Sequence, residues 1–138
     1  MCSFVFRRIC YTSIHMINTI GAYLIWSEDP FKLGKWYEEV LGFTPEETLT
    51  YPTDTGTVYY VGGRRFWIGK HSEVKGKNKD PYRHMVNLIV DDVKDVYEKL
   101  KAKGVHFIAE PFTAPSGDME FATFEDPEGN ILQIMRNL

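Results

Sequence analysis

The residues best suited to chemistry in this 138-residue sequence are few: His15, His71, His84 and His106, Cys2 and Cys10, and the turn Asp126-Pro127-Glu128-Gly129-Asn130. An imidazole can hold a divalent metal or move a proton near neutral pH, so the histidines come first. His71 falls in a polar loop, His106 lies just after a helix stop in an apolar strand, and His15 precedes the first strand pattern. Ordinary structural placement accounts for all three. The two cysteines lie in the N-terminal segment, away from the other candidates, and form neither a CxxC metal pair nor a disulfide framework. No Ser, His and Asp set, phosphate-cradling glycine loop or cysteine nucleophile emerges. Glu38, Glu39, Asp95 and Glu98 have the spacing of a solvated helix face.

The elements that must position these residues follow from periodicity and caps. Thr19 to Trp26 is an apolar run of strand length. Asp29-Pro30 then supplies a helix cap and a first-turn proline, and Trp36, Tyr37, Val40 and Leu41 recur at helical spacing before Gly42 stops the helix. Strands are predicted at 43–49, 57–61 and 65–69, separated by the turn formers of 52–56 and by Gly62-Gly63. Residues 70–83 are polar and suit a linker. The pattern then restarts with a strand at 85–90, a helix over 92–103 stopped by Gly104, and strands at 105–109, 121–124 and 131–135. The interval from Asp29 to Gly42 equals that from Asp91 to Gly104, so the two halves are an internal repeat, two βαβββ modules over 18–69 and 84–136. Residues 1–17 form an N-terminal extension to one domain, 18–138. Residues 1–15 lack both periodicity and caps, and Met16 stands just before the first strand, which leaves open whether 1–15 belong to the native protein.

Hydrophobic residues at 43% and charged residues at 25% are ordinary for a globular domain. A net charge of −3 with lysine and arginine spread among acids leaves no basic stripe for nucleic acid. The apolar runs are too short for a bilayer span, and Arg7 and Arg8 break the N-terminal segment, so neither a membrane nor a leader is expected and the location is read as cytoplasmic.

Asp126-Pro127-Glu128-Gly129-Asn130, with Ala122-Thr123-Phe124-Glu125 before it and Ile131-Leu132-Gln133-Ile134 after it, resembles the "DPxGN" ending of the vicinal oxygen chelate superfamily of glyoxalases, bleomycin-resistance proteins and extradiol dioxygenases. Trp36 to Phe43 is similar to that family's "FYxxvLGF" helix ending, and Val90 to Val93 with Leu100 to Val105 is similar to its second helix. The resemblance implies an α+β fold in which two βαβββ modules form an eight-stranded open cup with helices outside, commonly as a homodimer. Members that do chemistry place His, Gln or Glu at four cup-facing positions to hold a divalent metal. Those positions here are Ala22, Trp67, Met85 and Gln133, which predicts no metal site; His84 lies one strand step away and so turns to the opposite face.

By strand alternation the cup is expected to be lined by Leu24, Trp26, Arg65, Trp67, Met85, Asn87, Gln133 and Met135, besides Ala22. A mostly apolar surface with a few polar points suits a small aromatic or apolar molecule held between Trp26 and Trp67, with Asn87 and Gln133 orienting it. Arg65 is a candidate partner for a ligand anion. Three functions follow. The first is metal-free binding, resembling bleomycin-resistance proteins. The second is a glyoxalase-like lyase or dioxygenase using Zn, Ni, Fe or Mn with an atypical ligand set. The third is an interaction domain whose cup is filled by its own side chains. The sequence leaves open whether any reaction is catalysed.

Overall fold

The computed structural model describes residues 16–138; Cys2, Cys10, His15 and all but the last two residues of the extension lie outside the described residues. The chain runs β1 (Ala22–Ser27), α1 (Pro30–Leu41), β2 (Pro45–Tyr51), β3 (Asp54–Val61), β4 (Arg64–Lys70), a single 3-10 turn at Pro81–Arg83, β5 (Met85–Ile89), α2 (Val93–Ala102), β6 (Phe107–Thr113), β7 (Met119–Glu125) and β8 (Ile131–Asn137). The fold is α+β, built from two βαβββ modules. Each contributes a four-stranded sheet of the same topology, β1-β4-β3-β2 and β5-β8-β7-β6. In both, the first strand pairs in parallel with the last and the other pairings are antiparallel. Among the described residues no strand of one sheet pairs with a strand of the other.

Both helices start and stop where the capping residues place them. The Asp29 side chain accepts from the Lys32 N–H, Pro30 occupies the first turn, and Gly42 turns left-handed at φ 76°. Asp92 likewise accepts from the Asp95 N–H, and Gly104, at φ 86°, follows the last turn of α2. These arrangements satisfy terminal N–H and C=O groups that a helix cannot pair internally.

Strand ends depart from the sequence expectation where packing outweighs local pattern. β2 begins at Pro45 because the Phe43 ring is committed to the core, with ring centroids 5.5 Å from Tyr37, 5.9 Å from Tyr59 and 5.2 Å from Phe66. β6 begins at Phe107 because the Val105 N–H bonds back to the Leu100 carbonyl at 3.1 Å, finishing α2. β6 also runs through Pro111 to Thr113, which an edge strand tolerates since proline lacks only a donor. The turn before β3 shrinks to Pro52-Thr53, with Thr55 and Gly56 joining the strand.

Each helix covers one face of its sheet, and the buried residues of both modules form one continuous core. Ile25, Leu33, Tyr37, Tyr59, Phe66 and Ile68 come from the first module, and Val93, Tyr97, Leu100, Ala122, Phe124, Leu132 and Ile134 from the second. The modules are fastened at the Asp126 turn. The Asp126 carboxylate is buried and accepts from the Glu128 and Asn130 N–H groups at 2.8 and 3.0 Å, from the Asn130 amide at 2.8 Å, and from the Tyr37 hydroxyl of α1 at 2.7 Å. The Ser27 hydroxyl donates to Glu128 at 2.7 Å and the Asn78 N–H to the Glu128 carbonyl at 2.8 Å, so β1 and the linker grip the same turn. A hydrogen bond to a charged group contributes about 1.5–3 kcal/mol, and leaving a buried carboxylate underpaired costs at least as much.

Burial, reinforced by the charge and hydrogen bond of Asp126, pushes the Tyr37 phenol well above its ordinary pKa. Below about pH 10 this phenol is protonated in folded and unfolded chains alike; above it the unfolded chain loses the proton first, so stability falls as pH rises. Tyr37→Phe is expected to lower stability at neutral pH by about 1.5–3 kcal/mol. It should also remove about 1.4 kcal/mol per pH unit from the alkaline slope. Denaturant titrations at pH 7 and between pH 10 and 11.5 check both; an unchanged alkaline slope in the variant would remove Tyr37 from the account.

Candidate functional site

With helices on one face of each sheet, the opposite faces are left open. On the first sheet that face carries Leu24, Trp26, Arg65 and Trp67, the expected set. Leu24 stands directly across from Trp67, and Trp26 from Gly69, in the parallel β1/β4 register. Leu24 is 51% and Trp26 39% exposed, whereas Trp67 is only 7% exposed. Trp67 is covered because its ring lies down along the strand. A Cβ at Gly69 would run into the indole, and one at Gly56, the partner of Gly69 on β3, would come within 2.8 Å of the indole Cη2. Two glycines side by side therefore form the seat of the ring, a close approach that any larger residue would block.

Trp26 packs against Trp67 with centroids 6.4 Å apart and planes at 75°. This edge-to-face contact leaves no parallel slot between the indoles, so the expected sandwich is replaced by an apolar platform with one open ring. The His71 ring adds to it, 5.4 Å from Trp26 and also edge-on. The sequence reading placed His71 in a polar loop. It does lie in that loop, directly after β4, where its backbone N–H bonds to the Ser27 carbonyl at 3.4 Å. Trp67, Gly69 and His71 then follow on one face by simple alternation, a signal that carrying β4 two residues further would have caught. Arg65 is exposed and donates to the Tyr60 hydroxyl at 3.2 Å, at the edge of a hollow of about 460 Å³ lined by Glu46, Glu47, Leu49, Val58, Tyr60 and Arg65.

On the second sheet the open face carries Met85, Asn87, Gln133 and Met135. Asn87 stands across from Gln133, and its amide lies 3.4 Å from the Met135 sulfur. The Gln133 amide donates to Thr123 at 3.1 Å. Met85 is 42% exposed and Ile89, beyond the expected set, 78%. Each set is contiguous within its own sheet, but among the described residues no hydrogen bond or ring contact joins the Trp26/Trp67 set to the Asn87/Gln133 set. A larger groove, about 910 Å³, lies elsewhere, at the N-terminal end of α1 between Phe31, Trp36, Lys70 and Glu128. Partial burial there raises the Glu128 carboxyl above its usual range, against the stabilising bond from Ser27.

The donor set at the four family ligand positions does not fit a hard divalent metal. Ala22 has no donor, Trp67 presents an indole lying on glycine, Met85 offers a thioether, and Gln133 alone has an oxygen. Zinc and its neighbours take imidazole, thiolate or carboxylate, several at once. Among the described residues, no three His, Cys, Asp or Glu side chains gather in such an arrangement. His84 is exposed in extended backbone immediately before β5. Among the described residues no helix is long and apolar enough to cross a membrane.

Comparison with known proteins agrees with the fold. The chain is 25% identical over 127 residues to the uncharacterized protein YetH of Bacillus subtilis (strain 168), spanning 84% of this chain and 96% of that one. A glyoxalase family protein from Enterococcus faecalis superposes with a TM-score of 0.72 at 17% identity, covering 88% of this chain and all of the other (100%). A superfamily member from Sphaerobacter thermophilus DSM 20745 superposes at 0.71 with 22% identity, covering 88% and 98%. The family pattern itself matches residues 19–134, from just before β1 to the middle of β8, and the chain belongs to the Glyoxalase/Bleomycin resistance protein/Dioxygenase superfamily.

Proposed function

We propose that this protein binds a small, planar, largely apolar or aromatic molecule on the open faces of its sheets, without a metal. The observation that carries this reading is Trp67, which occupies a family metal-ligand position and lies flat on Gly69 and Gly56 while holding Trp26 edge-on and partly exposed. An aromatic group stacked on such a platform contributes about 0.5–1.5 kcal/mol beyond the area it buries. Asn87 and Gln133 supply the sparse polar points that orient a ligand in an otherwise apolar site. A homodimer in the cytosol is part of the same proposal. Among the described residues β1 pairs only with β4 and β5 only with β8, leaving an open edge on each sheet beside exposed Leu24, Met85 and Ile89. Free edges next to apolar surface are where a second copy docks. One copy's Trp26/Trp67 face would then meet the other's Asn87/Gln133 face to complete the cup.

Titration with planar aromatics is expected to quench tryptophan fluorescence in the wild type. Trp26→Ala and Trp67→Ala should weaken binding by about 2- to 10-fold, the equivalent of one lost ring contact, while Trp36→Ala on α1 leaves it unchanged. Gly69→Ala should weaken binding as much as Trp67→Ala, because its methyl evicts the indole from its seat. If no planar aromatic quenches the wild type, the reading is wrong.

Light scattering after gel filtration is expected to give twice the chain mass, with Ile89→Glu shifting it toward the monomer; a wild-type monomer at micromolar concentration would remove the shared cup. Elemental analysis of the same peak should find substoichiometric Zn, Ni, Fe and Mn. Stoichiometric metal lost on Gln133→Ala or His84→Ala would restore the metal-enzyme reading.

A further inference from the structure

We propose that the ligand carries a neutral hydrogen-bond-accepting carbonyl, and that His71, with the Trp67 indole N–H, is the group that selects for it. The inference rests on the binding reading above and adds the polar half of the recognition.

The Glu73 backbone N–H donates to His71 Nδ1 at 3.2 Å. With Nδ1 occupied as an acceptor, the neutral imidazole carries its proton on Nε2, so the ring presents an N–H donor at its far side. His71 is exposed and packs edge-on against Trp26, the open ring of the platform. The second donor is the Trp67 Nε1–H. That atom sits directly over Gly69, two residues before His71 in the chain. An indole nitrogen can only donate, and among the described residues none of the hydrogen bonds satisfies it. Two donors thus border one apolar platform, both on rings that touch Trp26, and among the described residues no side-chain acceptor bonds to either.

Charge decides which acceptor suits them. Among the described residues no cation is recorded in contact with Trp26, Trp67 or His71: Arg65 is held against Tyr60, Lys75 is engaged with Glu28 at 3.5 Å, and Lys70 lines the groove beside Glu128. Glu73, next to His71 in the loop, would repel a carboxylate. Desolvating an anion without a counter-charge costs far more than desolvating a ketone oxygen, whereas an unpaired donor gains from any acceptor. The chemistry that fits is a planar aromatic bearing a neutral carbonyl, such as an aryl ketone or a quinone-like ring.

Calorimetric titration of the full chain with 2-acetylnaphthalene, 2-ethylnaphthalene and 2-naphthoate tests this, since the three share a ring system and differ in the acceptor. In the wild type the ketone is expected to bind about 2- to 10-fold more tightly than the hydrocarbon, the yield of one net hydrogen bond, and naphthoate more weakly than the ketone. His71→Phe, which keeps a ring against Trp26 and removes one of the two donors, should cut the ketone's advantage with hydrocarbon affinity retained. His71→Gln, whose amide restores an N–H, should recover part of it. Equal wild-type affinity for ketone and hydrocarbon overturns the role of His71 and leaves the apolar platform standing. Tighter binding of naphthoate replaces the neutral carbonyl with an anion and overturns it as well. If none of the three binds, the platform fails and this inference falls with it.

Discussion

A buried carboxylate ordinarily destabilises a small domain unless every lone pair finds a donor, and here that requirement organises the molecule. Asp126 takes two donors from the backbone of its own turn, one from Asn130, and the last from Tyr37 on the helix of the other module. The turn cannot be satisfied alone, because it lacks the phenol; α1 cannot bury the Tyr37 hydroxyl alone, because it lacks the acceptor. The pair therefore holds the helical sides of the two modules to one shared core. Everything on the open sheet faces follows from that choice, since a face not turned to the core must meet solvent, a ligand or another chain.

Much of this was legible in the sequence, for local reasons. Asp29-Pro30 with Gly42, and Asp92 with Gly104, set both helices because a cap acts over three or four residues. Strand alternation put Leu24, Trp26, Arg65 and Trp67 on one face and Met85, Asn87, Gln133 and Met135 on another, since a period of two survives any twist of the sheet. Strand ends were less legible: Phe43 reads as a strand residue and is held in the core by three aromatic neighbours that only the fold assembles. Nor could the partner of Asp126 be read, because it lies 89 residues away and nothing in the turn points to α1. His71 was passed over for the opposite reason, a polar neighbourhood in sequence that masks a place beside tryptophan in space.

The same scaffold that can aim metal ligands into a cup here aims an indole. The two uses ask different things of the backbone. Metal ligands must converge on a point within a few tenths of an ångström, whereas a stacking surface needs area and a flat seat. Gly56 and Gly69, adjacent on β3 and β4, supply that seat by giving up their side chains. Under the proposed reading, the exchange turns a site defined by coordination geometry into one defined by shape, in which a change beneath the ring matters as much as a change of the ring itself.

The tie between Tyr37 and Asp126 also orders events during synthesis. A ribosome delivers β1 through β4 and α1 long before the last hairpin exists, so the first module emerges with its central phenol facing an acceptor that has not yet been made. Until the Asp126 turn arrives, that half can collapse and form its sheet, but it must leave the Tyr37 hydroxyl hydrated or unpaired. The nascent first half therefore lacks the acceptor for its central phenol until the hairpin between β7 and β8 has been made.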